Sequence, residues 1–393
     1  MEGSIKTDMD IRELSERLEP YIIERRRFYH AIPELSGEEV ETTKAIASDL
    51  RAMGLEPNFF KKYHGLTAEI HGANPGKTLI LRADIDALLG DETTGLPFAS
   101  HNGRMHACGH DCHIAMQLGA ARILAEHRDL FNGTVRLLFQ PGEEISMGAK
   151  WSIEEGVLEG ADAVYGTHIW GSRPAGTIDV TPGLRMAASH GFTITLKGKS
   201  AHGASPHLGA DAITAAASVI MQLQMIVSRF NNAVEPVVLT IGTIHGGNMY
   251  NSIADTVVME GAVRHFRQDH SIEDEMRRVI AGCASAMKVE YEFEYRYMNY
   301  PVDNNRDDLN ALAADAVVKL YGREALLHDP LMMTSEDFSN FMHIIPGVFT
   351  FIGTRNPAKN LTATNHQPNF TCDESVLKMG AAMAAQFAID YLK

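Results

Sequence analysis

The sequence is poor in cysteine, tryptophan and positive charge, and it has no long apolar run. Four cysteines in 393 residues cannot supply a disulfide framework, so a reducing, cytoplasmic setting is expected. Lys and Arg number 35 against 50 Asp and Glu, a net charge of −15. The densest basic stretch is only Arg25–Arg27. Nucleic acid and anionic membrane are therefore not expected as partners. No apolar run approaches the roughly 18 residues of a membrane span. The opening residues, Met-Glu-Gly-Ser-Ile-Lys-Thr-Asp, lack the basic-then-apolar order of a signal peptide. There is no internal repeat and no low-complexity segment.

What is present is enough apolar residue, 45%, to bury the cores of two or three domains. The most informative stretch is 106–113, His-Ala-Cys-Gly-His-Asp-Cys-His. Thiolate, imidazole and carboxylate are the side chains that bind transition metals. Gly109 lets the backbone turn tightly between Cys108 and His110. An Ala-rich segment follows, which places the cluster at a helix N-terminus. A closed structural zinc site needs a second Cys/His pair farther along the chain. The other two cysteines, Cys283 and Cys372, stand alone, so a catalytic metal site completed by distant residues is the better reading.

Taken in order, residues 10–31 read as an amphipathic helix. Ser36-Gly-Glu-Glu39 reads as a capping-box start for a helix through Met53. Strands are expected at 66–71, 78–82, 134–139 and 163–167, with a helix at 112–127. Three of these strands run into Asp84 and Asp86, Glu143 and Glu144, and His168. Alternating strands and helices imply an α/β fold with a mostly parallel sheet covered on both faces. Sites in such sheets form beyond the carboxyl ends of the strands. From residue 187 the period changes to two. The order 191–197, 209–229, 237–244, 255–266, 271–287 and 289–297 is β-α-β-β-α-β, the ferredoxin-like arrangement. The expected domains are 1–186 with 300–393, and an inserted domain at 187–299. Helix 307–321, strand 346–353 and helix 373–391 resume the first domain, and Thr364–Asn369 adds His366 as a candidate ligand.

Five ordered motifs carry a family resemblance: Arg82-Ala-Asp-Ile-Asp-Ala-Leu88, Met105-His-Ala-Cys-Gly-His-Asp111, Gln140-Pro-Gly-Glu-Glu144, Gly166-Thr-His168 and Gly198-Lys-Ser-Ala-His-Gly-Ala-Ser-Pro-His207. The chain resembles the M20 metallopeptidase superfamily. Within it the resemblance is to the amidohydrolase branch of hippurate hydrolases, indole-acetyl-amino-acid hydrolases and related aminoacylases. Relatives often carry proline where this chain has Leu89-Gly90.

The resemblance implies two divalent metal ions per subunit, manganese or zinc, with cobalt or nickel as further options. It makes Cys108 the shared ligand, with His110 and His168 completing one ion and Glu144 and His366 the other. It makes Glu143 the general base and acid, and puts Asp84 and Asp86 behind the ligands. His106, Cys112 and His113 are read as structural. In the inserted domain, His202, Asn251 and Arg264 would hold the substrate carboxylate or the developing oxyanion. The resemblance also implies a homodimer built through the inserted domain, with His202 acting in trans. The expected activity is hydrolysis of an N-acyl amino acid. A dipeptidase or carboxypeptidase with the same site is the alternative within enzymes. A non-catalytic metal-dependent binding protein is the alternative outside them, and the presence of Glu143 beside Glu144 argues against it.

Overall fold

The structure is a computed structural model that describes residues 10–393. The opening residues read for a signal peptide lie outside that range. The chain divides into two compact units. The first takes the chain up to Gly183, then Asp303–Pro330 and Asn340–Lys393; the second takes Leu184–Val302 and Leu331–Ser339.

The first unit opens with α1 (Ile11–His30), whose N-cap Asp10 accepts a hydrogen bond from Arg12 N–H. Then follow α2 (Val40–Ala52), β1 (Pro57–Phe59), β2 (Leu66–His71), β3 (Thr78–Asp84), α3 (His110–Glu126), β4 (Thr134–Gln140), β5 (Ala163–Pro174) and β6 (Ile178–Asp179). The second unit contains β7 (Ala188–Lys197), α4 (Ala212–Met225), β8 (Val237–Gly246), β9 (Thr256–His265), α5 (Ser271–Met287) and β10 (Glu290–Asn299). The first unit resumes with α6 (Asp307–Tyr321), β11 (Leu326–Leu327), β12 (Gly347–Arg355) and α7 (Leu377–Tyr391).

The first unit is mixed α/β around an eight-stranded sheet in the order β1-β2-β4-β3-β5-β12-β6-β11. Its centre is parallel: β4 with β3, β3 with β5, and β5 with β12. Antiparallel pairings lie to either side. Successive strand residues point to opposite faces. Leu79, Ile80 and Leu81 on β3 are all buried, so both faces of the sheet are covered there. Helix α3 is buried along nearly its whole length and packs against α1 and α7. That all-round burial explains its Ala-rich, weakly amphipathic composition.

Two boundaries differ from expectation in ways that matter. His168 does not end a strand: β5 continues to Pro174, because β12 keeps pairing alongside it. Ser36 and Glu39 do not form a capping box. Glu39 sits at the N-cap of α2 with no side-chain cap bond. Both side chains are drawn away to longer-range partners described below.

The second unit pairs β8-β9-β7-β10, all antiparallel. Phe192, Ile194 and Leu196 on β7 and Val257, Met259 and Val263 on β9 form one core with α4 and α5. Segment Leu331–Ser339 joins this unit through Ala187 N–H, which donates to the carbonyls of Met332 and Thr334. The expectation that no run approaches membrane-span length needs correcting. Helix α4 and the turn after it, Ala212–Phe230, make 19 helical residues long and apolar enough to span by length and composition. Ala215, Ala216, Val219 and Leu223 nevertheless pack into the core, while Ile213, Met221 and Phe230 are exposed. The apolar composition arises because both faces of this helix carry apolar side chains.

Candidate metal centre

Gly109 sets the centre's geometry. Its φ is +98°, a conformation open to glycine and strained for other residues. The reversal ends the incoming segment at Cys108 and starts α3 at His110. Glu143 and Glu144 come from the loop after β4, and His168 from within β5, on the far side of β3. His366 comes from the turn between β12 and α7. It holds a positive φ of +69°, and its N–H donates to the Ala107 carbonyl. A non-glycine residue in that region is strained, and the bond to Ala107 helps to hold it there.

These segments converge. Ligating atoms of Cys108, His110 and His168 lie within 4.8 Å of one another; so do those of Cys108, Glu144 and His366, and those of His110, Glu143 and Glu144. Cys108 Sγ is 3.4 Å from His168 Nε2. Glu144 reaches His110 Nε2 at 3.9 Å with one oxygen and His366 Nε2 at 3.7 Å with the other.

The outer nitrogens of two imidazoles are committed. His110 Nδ1 donates to the Asp86 carbonyl at 2.9 Å and to its carboxylate at 3.1 Å. His168 Nδ1 donates to the Ile169 carbonyl at 2.6 Å. Each ring therefore turns its Nε2 lone pair inward, as ligating histidines do. His110 Nε2 and Glu144 Oε1 are buried without a hydrogen-bond partner among the described residues. Such atoms cost about 1–3 kcal/mol apiece when unsatisfied. Divalent cations among sulfur, nitrogen and carboxylate donors would satisfy them, so the residues present fit a metal centre.

His113 is different. Its Nδ1 donates to Asp84 Oδ1 at 2.5 Å, and its Nε2 accepts from Ile169 N–H. Both nitrogens are used, so it braces the centre without ligating. His106 is buried with neither ring nitrogen partnered among the described residues, and burial lowers its pKa to about 4.

Charge is arranged in layers. Burial alone would raise the Asp84 carboxyl, but Arg82, His110 and His113 outweigh it and hold it well below its usual range. Asp86 is likewise held low against burial by His110 and Ser36. Burial raises Glu144 to about 7, with Asp86 adding and His110 opposing. In the metal-free protein burial opposes a charge on His110, yet Asp84, Asp86 and Glu144 lift it to about 10, so a bound cation would take the place of the Nε2 proton. This is a nest of negative charge that a cation stabilises.

Several supporting residues escaped the sequence reading. Ser36 Oγ donates to Asp86 Oδ2 at 2.6 Å, and that same oxygen accepts from Glu144 N–H. Glu39 Oε1 accepts from Gly142 N–H at 2.8 Å. Arg82 spans Asp84 and Gln140. Only Arg82 left a sequence signal: it precedes Asp84 by two on a strand and so shares its face.

In the second unit His202 and Asn251 come together. Ala201–His202 pairs with Ser252–Ile253, and Gly203 N–H donates to the Asn251 carbonyl. Arg264 stands on β9 opposite Ser189 and Val238.

Comparison with known proteins agrees with this architecture. The family model for peptidase family M20/M25/M40 matches residues 80–390. A thermostable carboxypeptidase of Saccharolobus solfataricus is 37% identical over 98% of both chains. An N-acetyl-L-cysteine deacetylase of Bacillus subtilis is 40% identical over 92% of this chain and 85% of its own. The crystal structure of the Bacillus subtilis YXEP protein, described as a dinuclear metal binding peptidase, superposes with a TM-score of 0.84 at 36% identity, covering 96% of this chain and 99% of that one. The chain is a hydrolase of peptidase family M20/M25/M40.

Proposed function

We propose that this enzyme hydrolyses the amide bond of N-acyl amino acids, using two divalent ions held by Cys108, His110, Glu144, His168 and His366. The observation that carries the reading is the convergence of those five side chains in overlapping groups, with Glu143 beside His110 and Glu144. Cys108 belongs to both groups, so its thiolate would be available to either ion. When bound, the ions supply Lewis acidity toward water and an acyl oxygen.

The chain's own residues do the rest. Glu143 takes the proton of the attacking water and returns it to the leaving nitrogen. Asp86, through His110, and Asp84, through His113, keep the ligands oriented. His202 donates to the oxyanion from a partner copy, and Asn251 and Arg264 hold the substrate carboxylate. A homodimer through the second unit, the ferredoxin-like inserted domain, is part of the proposal. Its support is the apolar surface that unit leaves exposed: Ile213 and Met221 on α4, Val238 and Ile244 on β8, and Tyr250 beyond it. Carboxypeptidase activity is the second reading, favoured by the Saccharolobus relative.

The test is a panel of N-acetyl, N-benzoyl and indole-acetyl amino acids beside dipeptides, each assayed before and after chelation. Turnover of acyl amino acids that chelator abolishes and added metal restores is the expected result. Full activity after verified metal removal overturns the metal set. Turnover of dipeptides alone overturns the substrate class.

A further inference from the structure

Two cysteines that look isolated in the sequence meet in the first unit. Cys112 is in the first turn of α3, and Cys372 lies between His366 and α7. Although 260 positions apart, their Sγ atoms stand 3.4 Å from each other. Both are free thiols, and both side chains are buried.

A thiol pair sealed in an apolar core is inert. This one borders a surface recess. A cavity of about 500 Å³ has Cys372 in its wall, together with Arg26, Arg27, Phe98, Lys359 and Glu374. The Arg26 guanidinium is fixed there by Asp111 at 2.8 Å, Glu374 at 3.2 Å and Thr371 at 3.4 Å. Cationic groups beside a thiol favour its reactive thiolate. The hydrogen bond from Cys112 lowers the Cys372 thiol from its usual range against burial, and Arg26 adds to that lowering.

We propose that Cys112 and Cys372 are a redox modification site that closes into a reversible disulfide when a hydroperoxide enters this cavity. The sulfurs must approach from 3.4 Å to about 2.05 Å. Cys372 thiolate attacks the terminal peroxide oxygen; the O–O bond breaks, leaving a sulfenic acid on Cys372, and the released oxygen takes up a proton. Cys112 then attacks the sulfenic sulfur. The S–S bond forms, the S–O bond breaks, and water departs with the Cys112 proton. Two thiols lose two electrons and two protons, and hydrogen peroxide becomes two molecules of water.

The bridge would tie the turn carrying Cys108 and His110 to the segment that follows His366. Resting on the metal set proposed above, this has a consequence: the oxidised enzyme releases its ions to a chelator more slowly than the reduced one. A cross-link limits how far the ligand-bearing segments separate when the site opens.

The experiment exposes metal-loaded enzyme to graded hydrogen peroxide, then alkylates it and maps the peptides without reduction. The expected product joins the Cys112 and Cys372 peptides with the loss of two hydrogens, leaves Cys283 alkylatable, and reverts with dithiothreitol. Cys372→Ser abolishes the product. Cys112→Ala leaves a dimedone-reactive sulfenic acid on Cys372, a positive signal that does not depend on the first variant folding. If both thiols remain alkylatable at doses that oxidise free glutathione, or if the cross-link maps to another pair, the proposal falls. A correct cross-link with unchanged metal release keeps the disulfide and overturns only its connection to the ligand set.

Discussion

Gly109→Ala tests whether the reversal before α3 builds the centre. A Cβ at this position would fall 2.4 Å from Ile169 Cδ1 and 2.7 Å from Cγ1. The backbone φ of +98° is itself unfavourable for alanine. The left-handed conformation costs about 1–2 kcal/mol, and inserting a methyl into a filled core about 1–3 kcal/mol. The expected loss is therefore roughly 2–5 kcal/mol. Ile169 cannot yield freely. Its side chain, whose Cγ1 and Cδ1 meet the new methyl, is fully buried in the core of the first unit, and any shift of its backbone would disturb its bonds to His113 and His168. The assay pairs equilibrium urea unfolding with metal analysis of the purified protein. A lower midpoint at unchanged slope, with less than full metal, is expected. A variant with wild-type midpoint and full metal content refutes the argument.

Three further outcomes follow from the geometry. Glu143→Gln should keep its metal and lose turnover by roughly 10²–10⁴-fold, whereas Cys108→Ala should lose metal; the reverse pattern in metal analysis and kinetics reassigns both. Glu39→Ala strands the buried Gly142 N–H, at about 1–3 kcal/mol, and should lower kcat by loosening the Glu143 loop; Glu39→Gln keeps an acceptor and should restore it, because burial and Asp86 raise Glu39 to about 8 and keep it neutral at pH 7. His30 lies between Asp111 and Glu92, and these carboxylates raise it to about 9 despite burial. Its folded value exceeds the unfolded 6.5, so its stabilisation of about 3 kcal/mol is complete below pH 6.5 and lost as pH rises through 9. Unfolding curves across pH 6–10 should show that decline in the wild type and a shallower one in His30→Gln; identical slopes would remove His30 as its source.

The parts of this molecule that the sequence announces are those where side-chain type alone carries the meaning. Cys108, His110, Glu143, Glu144, His168 and His366 are metal-binding types, most of them in loops or the helix start beyond strand ends, and a regular α/β sheet brings its strand ends to one edge. What stayed hidden is long-range choice of partner. Ser36 and Glu39 fit a local capping pattern, yet Asp86 and Gly142, remote in the chain, compete successfully for their side chains. The extent of β5 depended on β12, far downstream. The contact between Cys112 and Cys372 is invisible for the same reason. Leu331–Ser339 shows no pattern of its own, because its place depends on backbone bonds to Arg185 and Ala187.

The spread of the candidate ligands along the sequence also has a consequence for how the site is made. His366 lies near the end of the chain, and its backbone is anchored on Ala107. A chain emerging from the ribosome exposes Cys108 and His110 long before His366 exists to join them. The group of Cys108, His110 and His168 is complete in the growing chain long before the group of Cys108, Glu144 and His366. The second group waits for His366 to be made and for its turn to dock on Ala107, so its two halves are joined by folding across most of the chain.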